Sequence, residues 1–192
     1  PIEYLHNHKQ SMVNQREIGV DVDSFAGALR AALREDPDVI LVGEMRDFET
    51  INAAVTAAET GHLVLSTLHT TGAAETLDRI IDVYPPHSQG QIRSQLANSM
   101  VGVVSQTLCA TADGKGRVAA LEIMAATDAI SANIREGKIF QIPSAIATGK
   151  KDGMFSLDQD LARLVRNGKI TDELARTKCQ DPAEYKRFLT LG

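Results

Sequence analysis

Cysteine is scarce in this chain of 192 residues. The two cysteines, Cys109 and Cys179, lie far apart, and no CxxC pair occurs anywhere. The sequence therefore excludes a zinc ribbon and a redox dithiol. A chain of this length buries a sufficient core without disulfides, so we expect two free thiols in a reducing compartment.

Long apolar runs and an excess of positive charge are also missing. No segment approaches the roughly 18 apolar residues of a membrane span, and no basic segment followed by an apolar stretch marks a signal peptide. The 20 Lys and Arg residues against 25 Asp and Glu residues give a net charge of -5, which disfavours a protein that binds nucleic acid by neutralising phosphates. We expect a soluble, cytoplasmic, globular protein with no nucleic-acid partner and no integral membrane segment.

Two short apolar runs, Val39–Val42 and 63–68, predict strands buried on both faces of a parallel sheet. Ser24 and Asp47 are N-cap candidates for helices that precede and separate these strands. A third helix is predicted to begin at Thr70 and Thr71. This alternation of helix and strand is typical of α/β proteins.

Weaker and later patterns complete the predicted organisation. Residues 13–22 favour a short strand or hairpin arm, and Ser88 with Gln91 forms a candidate capping box. Two strands come next, at 101–108 and 118–124, and from Asp128 onward every strong pattern is helical. The sequence thus predicts an α/β core over residues 1–125 and a small all-helical region over residues 126–192.

Chemically able side chains follow both apolar runs. Glu44 comes directly after the first, where P-loop NTPases hold a carboxylate near Mg²⁺ and the attacking water. His69 follows the second, and the carboxyl edge of an open α/β sheet is where ligands bind. The alternatives are that Glu44 and Asp47 merely begin a helix, where acids suit the dipole, and that His69 is a hydrogen-bonded loop residue.

A phosphate-binding loop of the form GxxxxGK[ST] is absent from the 192 residues. Gly149-Lys150 lacks the upstream glycine. Either the protein is not an NTPase, or the loop with its strand and helix precedes Pro1, since the chain begins without Met. A doubly wound core normally begins with its phosphate-binding unit, which favours the second alternative.

Three segments then become recognisable in order between Pro1 and about Met124: PIEYLHNHKQSMVNQREIG, ALREDPDVILVGEMRD and TAAETGHLVLSTLHTTGAAETLDRI. They resemble the end of the Asp-box, the atypical Walker B and the His-box of the secretion and type IV pilus motor ATPases. The resemblance implies a RecA-like P-loop NTPase core without its N-terminal part, followed by the helical region. It also implies that the Walker A loop and a PAS-like domain with arginine fingers precede Pro1.

The same resemblance implies roles for individual residues, with ATP and Mg²⁺ as cofactors. Glu3 would activate the attacking water, Glu44 would act through the Mg²⁺ shell, and His69 would sense or stabilise the γ-phosphate. His62 and Arg79 are weaker candidates for nucleotide contacts. His62 is also explained as a residue at a helix end, and Arg79 is also explained as a surface residue.

The residues after the His-box indicate the branch of the superfamily. Extension and type II secretion ATPases carry a four-cysteine zinc module there, which this chain lacks. The segment Ala129–Glu136 resembles the Ala-Ile-Arg-Asn-Leu-Ile-Arg-Glu motif of the retraction ATPases of twitching motility, although its middle differs. A plain amphipathic helix with Ile130 and Ile134 inward explains this segment equally well.

The resemblance to the retraction branch implies a homohexameric motor that hydrolyses ATP to remove pilin subunits from the pilus base. Its partners would be an inner-membrane pilus platform protein and the pilus machinery, and it would lie at the inner face of the cytoplasmic membrane. The alternatives are a pilus assembly or type II secretion ATPase, and a catalytically inert oligomerisation module.

Overall fold

The computed structural model describes residues 2–191, so Pro1, the first residue of the Asp-box segment, lies outside the described residues. The chain divides into two compact units, Pro1–Leu68 and His69–Gly192. The predicted domain boundary near residue 125 coincides with the end of the last strand and not with the division between these two units. The assignment of two domains at that boundary stays a prediction.

The first unit contains α1 (Phe25–Ala32), β1 (Val39–Val42), α2 (Phe48–Glu59) and β2 (Leu63–Ser66). The two strands pair in parallel, with Val39 opposite Leu63 and Val42 opposite Ser66. Parallel strands need a crossover, and α2 provides it. The predicted N-caps are confirmed, because the side chain of Ser24 accepts from the N–H of Gly27 and that of Asp47 from the N–H of Thr50.

The prediction that both strands are buried on two faces was wrong for the described residues. In β1 the side chains alternate, with Ile40 and Val42 buried and Leu41 71% exposed. In β2, Leu65 is 48% exposed. Helix α2 packs against one face of the pair, and within the described part of this unit no element covers the other.

The predicted strand at 13–22 was also wrong. Only an isolated bridge between Ile18 and Val22 forms there. The carbonyl of Glu17 accepts from three following backbone N–H groups, and Gly19 takes a positive φ of 82°. The segment therefore satisfies its hydrogen bonds in a local turn, which glycine permits at low cost.

The second unit begins with two helices and a hairpin, α3 (Ala73–Asp82), α4 (Gln89–Ser99), β3 (Gly102–Ala110) and β4 (Arg117–Ala125), with a 3-10 turn at Pro86–Ser88. The strands are antiparallel, with Gly102 opposite Ala125 and Ala110 opposite Arg117. Five helices come after the hairpin: α5 (Asp128–Arg135), α6 (Ile142–Thr148), α7 (Leu157–Arg166), α8 (Asp172–Lys178) and α9 (Pro182–Thr190). The prediction of helices alone after Asp128 is confirmed for the described regular elements, which include two short 3-10 turns.

One predicted helix start was misplaced, and one predicted capping box does not form. Helix α3 begins at Ala73 with Gly72 as its N-cap, because Thr70 and Thr71 bond to side chains further along the helix. Ser88 is the N-cap of α4, as predicted, but its side chain makes no capping hydrogen bond, since the 3-10 turn leads directly into the helix.

Helix α7 organises the core of the second unit. It packs against β4 and α9 and buries Leu161 and Leu164 beside Cys109 of the hairpin and Tyr185 of α9. Burial raises the pKa of the Cys109 thiol, as expected for an inert core cysteine. Among residues 2–191, no helix has the length and hydropathy needed to cross a bilayer.

Candidate functional site

Glu44 lies in the connection that follows β1, where two backbone-directed bonds tie that connection to the end of β2. The Thr67 hydroxyl donates to the Gly43 carbonyl at 2.7 Å, and the Met45 N–H donates to the Thr67 carbonyl at 3.0 Å. The Glu44 side chain is half-buried and pairs with Arg46 at 2.8 Å. The local structure therefore holds this carboxylate at the carboxyl edge of the strand pair.

The helix-start interpretation applies to Asp47 and not to Glu44. The Asp47 carboxylate accepts the Thr50 N–H at 2.9 Å and the Thr50 hydroxyl at 2.8 Å. These hydrogen bonds hold the pKa of Asp47 below its ordinary value. Asp47 is thus the N-cap of α2, and Glu44 precedes the cap by a short connection.

Glu44 is a single carboxylate at the end of β1, and one carboxylate suits a metal ion that binds together with a ligand. Among residues 2–191, no group of three or more His, Cys, Asp or Glu side chains could hold a metal ion. Mg²⁺ usually keeps several waters and binds one or two carboxylates together with substrate phosphates, without an all-protein cage. The donor set around Glu44 therefore fits Mg²⁺ that arrives with a nucleotide and does not fit a resident structural metal.

Glu3 is exposed and lies in the irregular segment that opens the first unit. Side chains from the following turn hold this segment. The Ile2 N–H donates to Glu17 at 3.3 Å, and the Gln15 amide donates to the Tyr4 carbonyl at 2.9 Å. The carboxylate of Glu3 is therefore accessible to a ligand at the surface of this unit.

His62 lies at the end of α2 and is half-buried. Its Nδ1 is 2.9 Å from the Ala57 carbonyl and 3.2 Å from the Thr60 hydroxyl. A proton on Nδ1 satisfies one of the terminal carbonyls of the helix. These contacts favour the helix-end interpretation of His62.

His69 is exposed and has a left-handed backbone, with φ of 55°. A non-glycine residue in this region costs about 1–3 kcal/mol and persists only where its surroundings determine it. Those surroundings are visible: the Thr70 and Thr76 hydroxyls are 2.6 Å apart, and Thr71 donates its N–H and its hydroxyl to Glu75. The segment His69–Gly72, which we name the His69 loop, is therefore a fixed structure.

Arg79 is exposed in the last turn of α3. Hydrogen bonds from Thr71, with a smaller contribution from the charge of Arg79, hold the pKa of Glu75 below its ordinary value. These observations favour the surface interpretation of Arg79.

The five candidates are divided between the two units. Glu3, Glu44 and His62 belong to the first, and His69 and Arg79 belong to the second. The expected approach of Glu44 and His69 at one sheet edge stays a prediction.

Sequence reasoning missed Glu122, which is only 5% exposed in β4. Its carboxylate accepts the Ala73 N–H at 2.7 Å. Burial raises the pKa of this carboxyl, although the hydrogen bond from Ala73 acts in the opposite direction. The alternation along β4 gave a signal, because Glu122 shares a face with buried Ala120 and Met124.

Comparison with known proteins bears on this arrangement. The family described as Type II/IV secretion system protein matches residues 1–151. The chain is 56% identical over 181 residues to the twitching motility protein of Neisseria gonorrhoeae, covering 94% of this chain and 48% of the relative. It is 55% identical to the type IV pilus retraction ATPase PilT of Pseudomonas aeruginosa, covering 96% of this chain and 54% of the relative.

A solved structure agrees with these relatives. The crystal structure of the pilus retraction motor PilT with bound ADP superposes with a TM-score of 0.90 at 49% identity, covering 97% of this chain and 52% of that one. This likeness confirms the predicted fold class, a partial RecA-like α/β core followed by a helical region. The chain spans about half the length of the curated relatives it matches.

Proposed function

Because the chain belongs to the Type II/IV secretion system protein family, we propose that it is part of an ATP-hydrolysing motor that powers type IV pilus retraction. The observation that carries the proposal is the 56% identity, over 94% of this chain, to a relative named for twitching motility. The lack of a CxxC pair supports retraction over assembly or secretion, since those branches carry a four-cysteine module.

In this proposal each candidate carboxylate has one task. Mg²⁺ with ATP supplies the γ-phosphoryl group and the charge that stabilises the transition state. Glu44 orients waters of the metal shell from the end of β1. Glu3 accepts a proton from the attacking water, for which its exposed carboxylate is suited.

His69 has the remaining task, donation of a hydrogen bond to an oxygen of the γ-phosphate. The support is its strained backbone, with φ of 55°, in a loop whose next residues are all bonded. Phosphoryl transfer depends on positioning and electrostatics, so a donor in a fixed loop suits it better than one in a mobile loop. His62 and Arg79 are left with structural roles.

A phosphate-binding loop is required for this chemistry, and the 192 residues contain no GxxxxGK[ST] sequence. Without such a loop the β- and γ-phosphates are not held for attack. The 192 residues by themselves should therefore hydrolyse ATP only negligibly. Robust hydrolysis by them would point to a different nucleotide site.

The assembly follows from the same proposal. The motor is a homohexamer in the cytoplasm, at the inner face of the cytoplasmic membrane, and it acts on the pilus through the inner-membrane platform protein. The support is the family membership and the lack of a membrane-spanning helix among the described residues.

A hybrid protein tests the proposal in cells. This chain replaces the matching half of the P. aeruginosa retraction ATPase, to which it is 55% identical, in a strain that lacks its own retraction ATPase. We expect the hybrid to restore twitching and its Glu44→Gln variant to fail. The control is Glu49→Gln, an exposed acid in the first turn of α2, which should twitch normally.

Other outcomes separate the alternatives. Restored pilus assembly in a second strain, one that lacks its assembly ATPase, would favour an assembly motor. A folded hybrid that binds ATP but neither hydrolyses it nor restores twitching would favour an inert oligomerisation module.

A further inference from the structure

The carboxylate of Glu122 joins two elements of the second unit. It projects from β4 and accepts a hydrogen bond at 2.7 Å from the N–H of Ala73, the first residue of α3. This donor is a first-turn N–H group that has no partner inside its own helix. One buried side chain therefore fixes the start of α3 against the hairpin.

The His69 loop lies directly ahead of this helix start, and a second contact reaches it from the far end of the chain. The side-chain amide of Gln180 donates to the Thr71 carbonyl at 3.2 Å. The backbone of Gln180 is held in turn by the buried carboxylate of Asp158, which accepts the N–H groups of Gln180 and Asp181 at 2.8 Å each. Strand β4 thus supports the His69 loop through Glu122, and the helical region supports it through Gln180.

Gly72 shows how closely these two supports approach the loop. A Cβ at this position would lie 3.3 Å from the Glu122 Oε1 atom and 3.4 Å from the Gln180 Nε2 atom. The backbone here is extended, so the glycine is explained by the close approach and not by its dihedral angles. The supports therefore contact the backbone of the loop itself.

We propose that Glu122 is a positioning residue for His69, with Gln180 as a second support. The proposal rests on the proposed function, in which His69 donates to the γ-phosphate. By fixing Ala73 and Thr71, the two side chains hold the backbone that carries His69 in its left-handed conformation. Movement of α7 or α9 would then reach the His69 loop through these bonds.

A carboxylate suits this position better than an amide. The Ala73 N–H donates to one oxygen of Glu122, and both oxygens of a carboxylate can accept, whereas an amide has one acceptor oxygen and an NH₂ group that cannot accept. An ionised acceptor also makes a stronger hydrogen bond than a neutral one. In Glu122→Gln the hold on the start of α3 would therefore weaken, while the volume of the side chain stays nearly the same.

The first test follows His69 by NMR in the 192-residue chain, with its imidazole signals assigned from a His69→Gln variant. We expect Glu122→Gln to shift the His69 imidazole signals and to increase the exchange rate of the Thr71 and Ala73 amides at least about 10-fold. The matched control is Asp160→Asn. Asp160 is 3% exposed and accepts from Leu121 and Arg163, neither of which belongs to the His69 loop.

The proposal is wrong if folded Glu122→Gln leaves the His69 signals and both amides unchanged, or if Asp160→Asn shifts them equally. If Glu122→Gln does not fold, Gln180→Ala tests the proposal instead, because Gln180 is exposed and its loss leaves the core intact. It should shift the His69 signals in the same direction by a smaller amount. Unchanged signals in Gln180→Ala would then overturn the proposal.

The second test separates this proposal from the proposed function. In the hybrid protein, Glu122→Gln should lower kcat about 10- to 100-fold, the scale of a misplacement near 1 Å, with the KM for ATP within a few-fold. If the parent hybrid does not hydrolyse ATP but the NMR changes occur, the motor function fails and the positioning role stands. If kcat and KM are both unchanged in a hydrolysing hybrid, the positioning role fails and the motor function stands.

Discussion

Replacement of Ile134 by alanine tests how helix α5 is anchored. Ile130 and Ile134 are both fully buried, while Arg135 is exposed and donates to the Asn98 side chain at 3.0 Å. The amphipathic interpretation of this segment is therefore confirmed, since α5 packs its isoleucine face against α4 and α6. Ile134→Ala should destabilise the second unit.

The magnitude follows from the burial. Ile134→Ala removes three carbon atoms from a fully buried site, and such truncations cost roughly 2–5 kcal/mol. The higher helix propensity of alanine offsets only about 0.5 kcal/mol. At about 2–4 °C per kcal/mol for a chain of this size, the melting temperature should fall by roughly 3–18 °C.

The assay is a thermal melt of the 192-residue chain followed by circular dichroism. Ile134→Val is the graded control and should cost about 0.5–1.5 kcal/mol, since the cavity it leaves is smaller. A melting temperature that does not change in Ile134→Ala would refute the packing of α5 against α4 and α6. An equal loss in both variants would refute the argument from volume.

Three further perturbations probe other parts of the structure. The folded-state pKa of Glu122 is raised by burial and by the charge of Asp158, so the folded chain binds this proton more tightly than the unfolded chain. The stability of the wild type relative to Glu122→Gln should therefore fall as pH rises above 4.5, the ordinary pKa of glutamate. Below that pH the difference in stability should stay constant. Thermal melts across this range measure both. Asp47→Ala should cost about 0.5–2 kcal/mol in chemical denaturation at neutral pH, because α2 loses its cap; this difference should shrink as pH falls below the ordinary value of 3.8, since the native hydrogen bonds lower the pKa of Asp47. In the hybrid protein, Arg135→Ala should change the melting temperature little and leave the rate of ATP hydrolysis within a few-fold of the parent, while twitching is abolished. Loss of ATP hydrolysis with an unchanged melting temperature would instead place α5 in the catalytic site.

Local patterns in the sequence predicted most of the regular elements. Ser24 and Asp47 cap helices where a polar side chain precedes a periodic run of apolar residues. The two apolar runs pair in parallel with a helix between them. These features depend on neighbours within a few residues, which a single sequence displays directly.

Contacts between distant residues could not be predicted in the same way. Glu122 meets Ala73 across 49 positions, and Gln180 meets Thr71 across 109 positions. The exposed face of β1 and β2 was missed for a related reason, because burial depends on which element packs against a strand and not on its composition alone. The candidate site was therefore predicted as a set of residues, while the supports of the His69 loop were found only in the structure.

ATP hydrolysis by the hybrid protein and its Glu3→Gln variant, with nucleotide binding measured in parallel, tests the motor function most directly. We expect nearly unchanged ATP binding and a loss of turnover of roughly 10²- to 10⁴-fold, the usual contribution of a general base. A Glu3→Gln variant that hydrolyses ATP as fast as the parent hybrid would contradict this expectation.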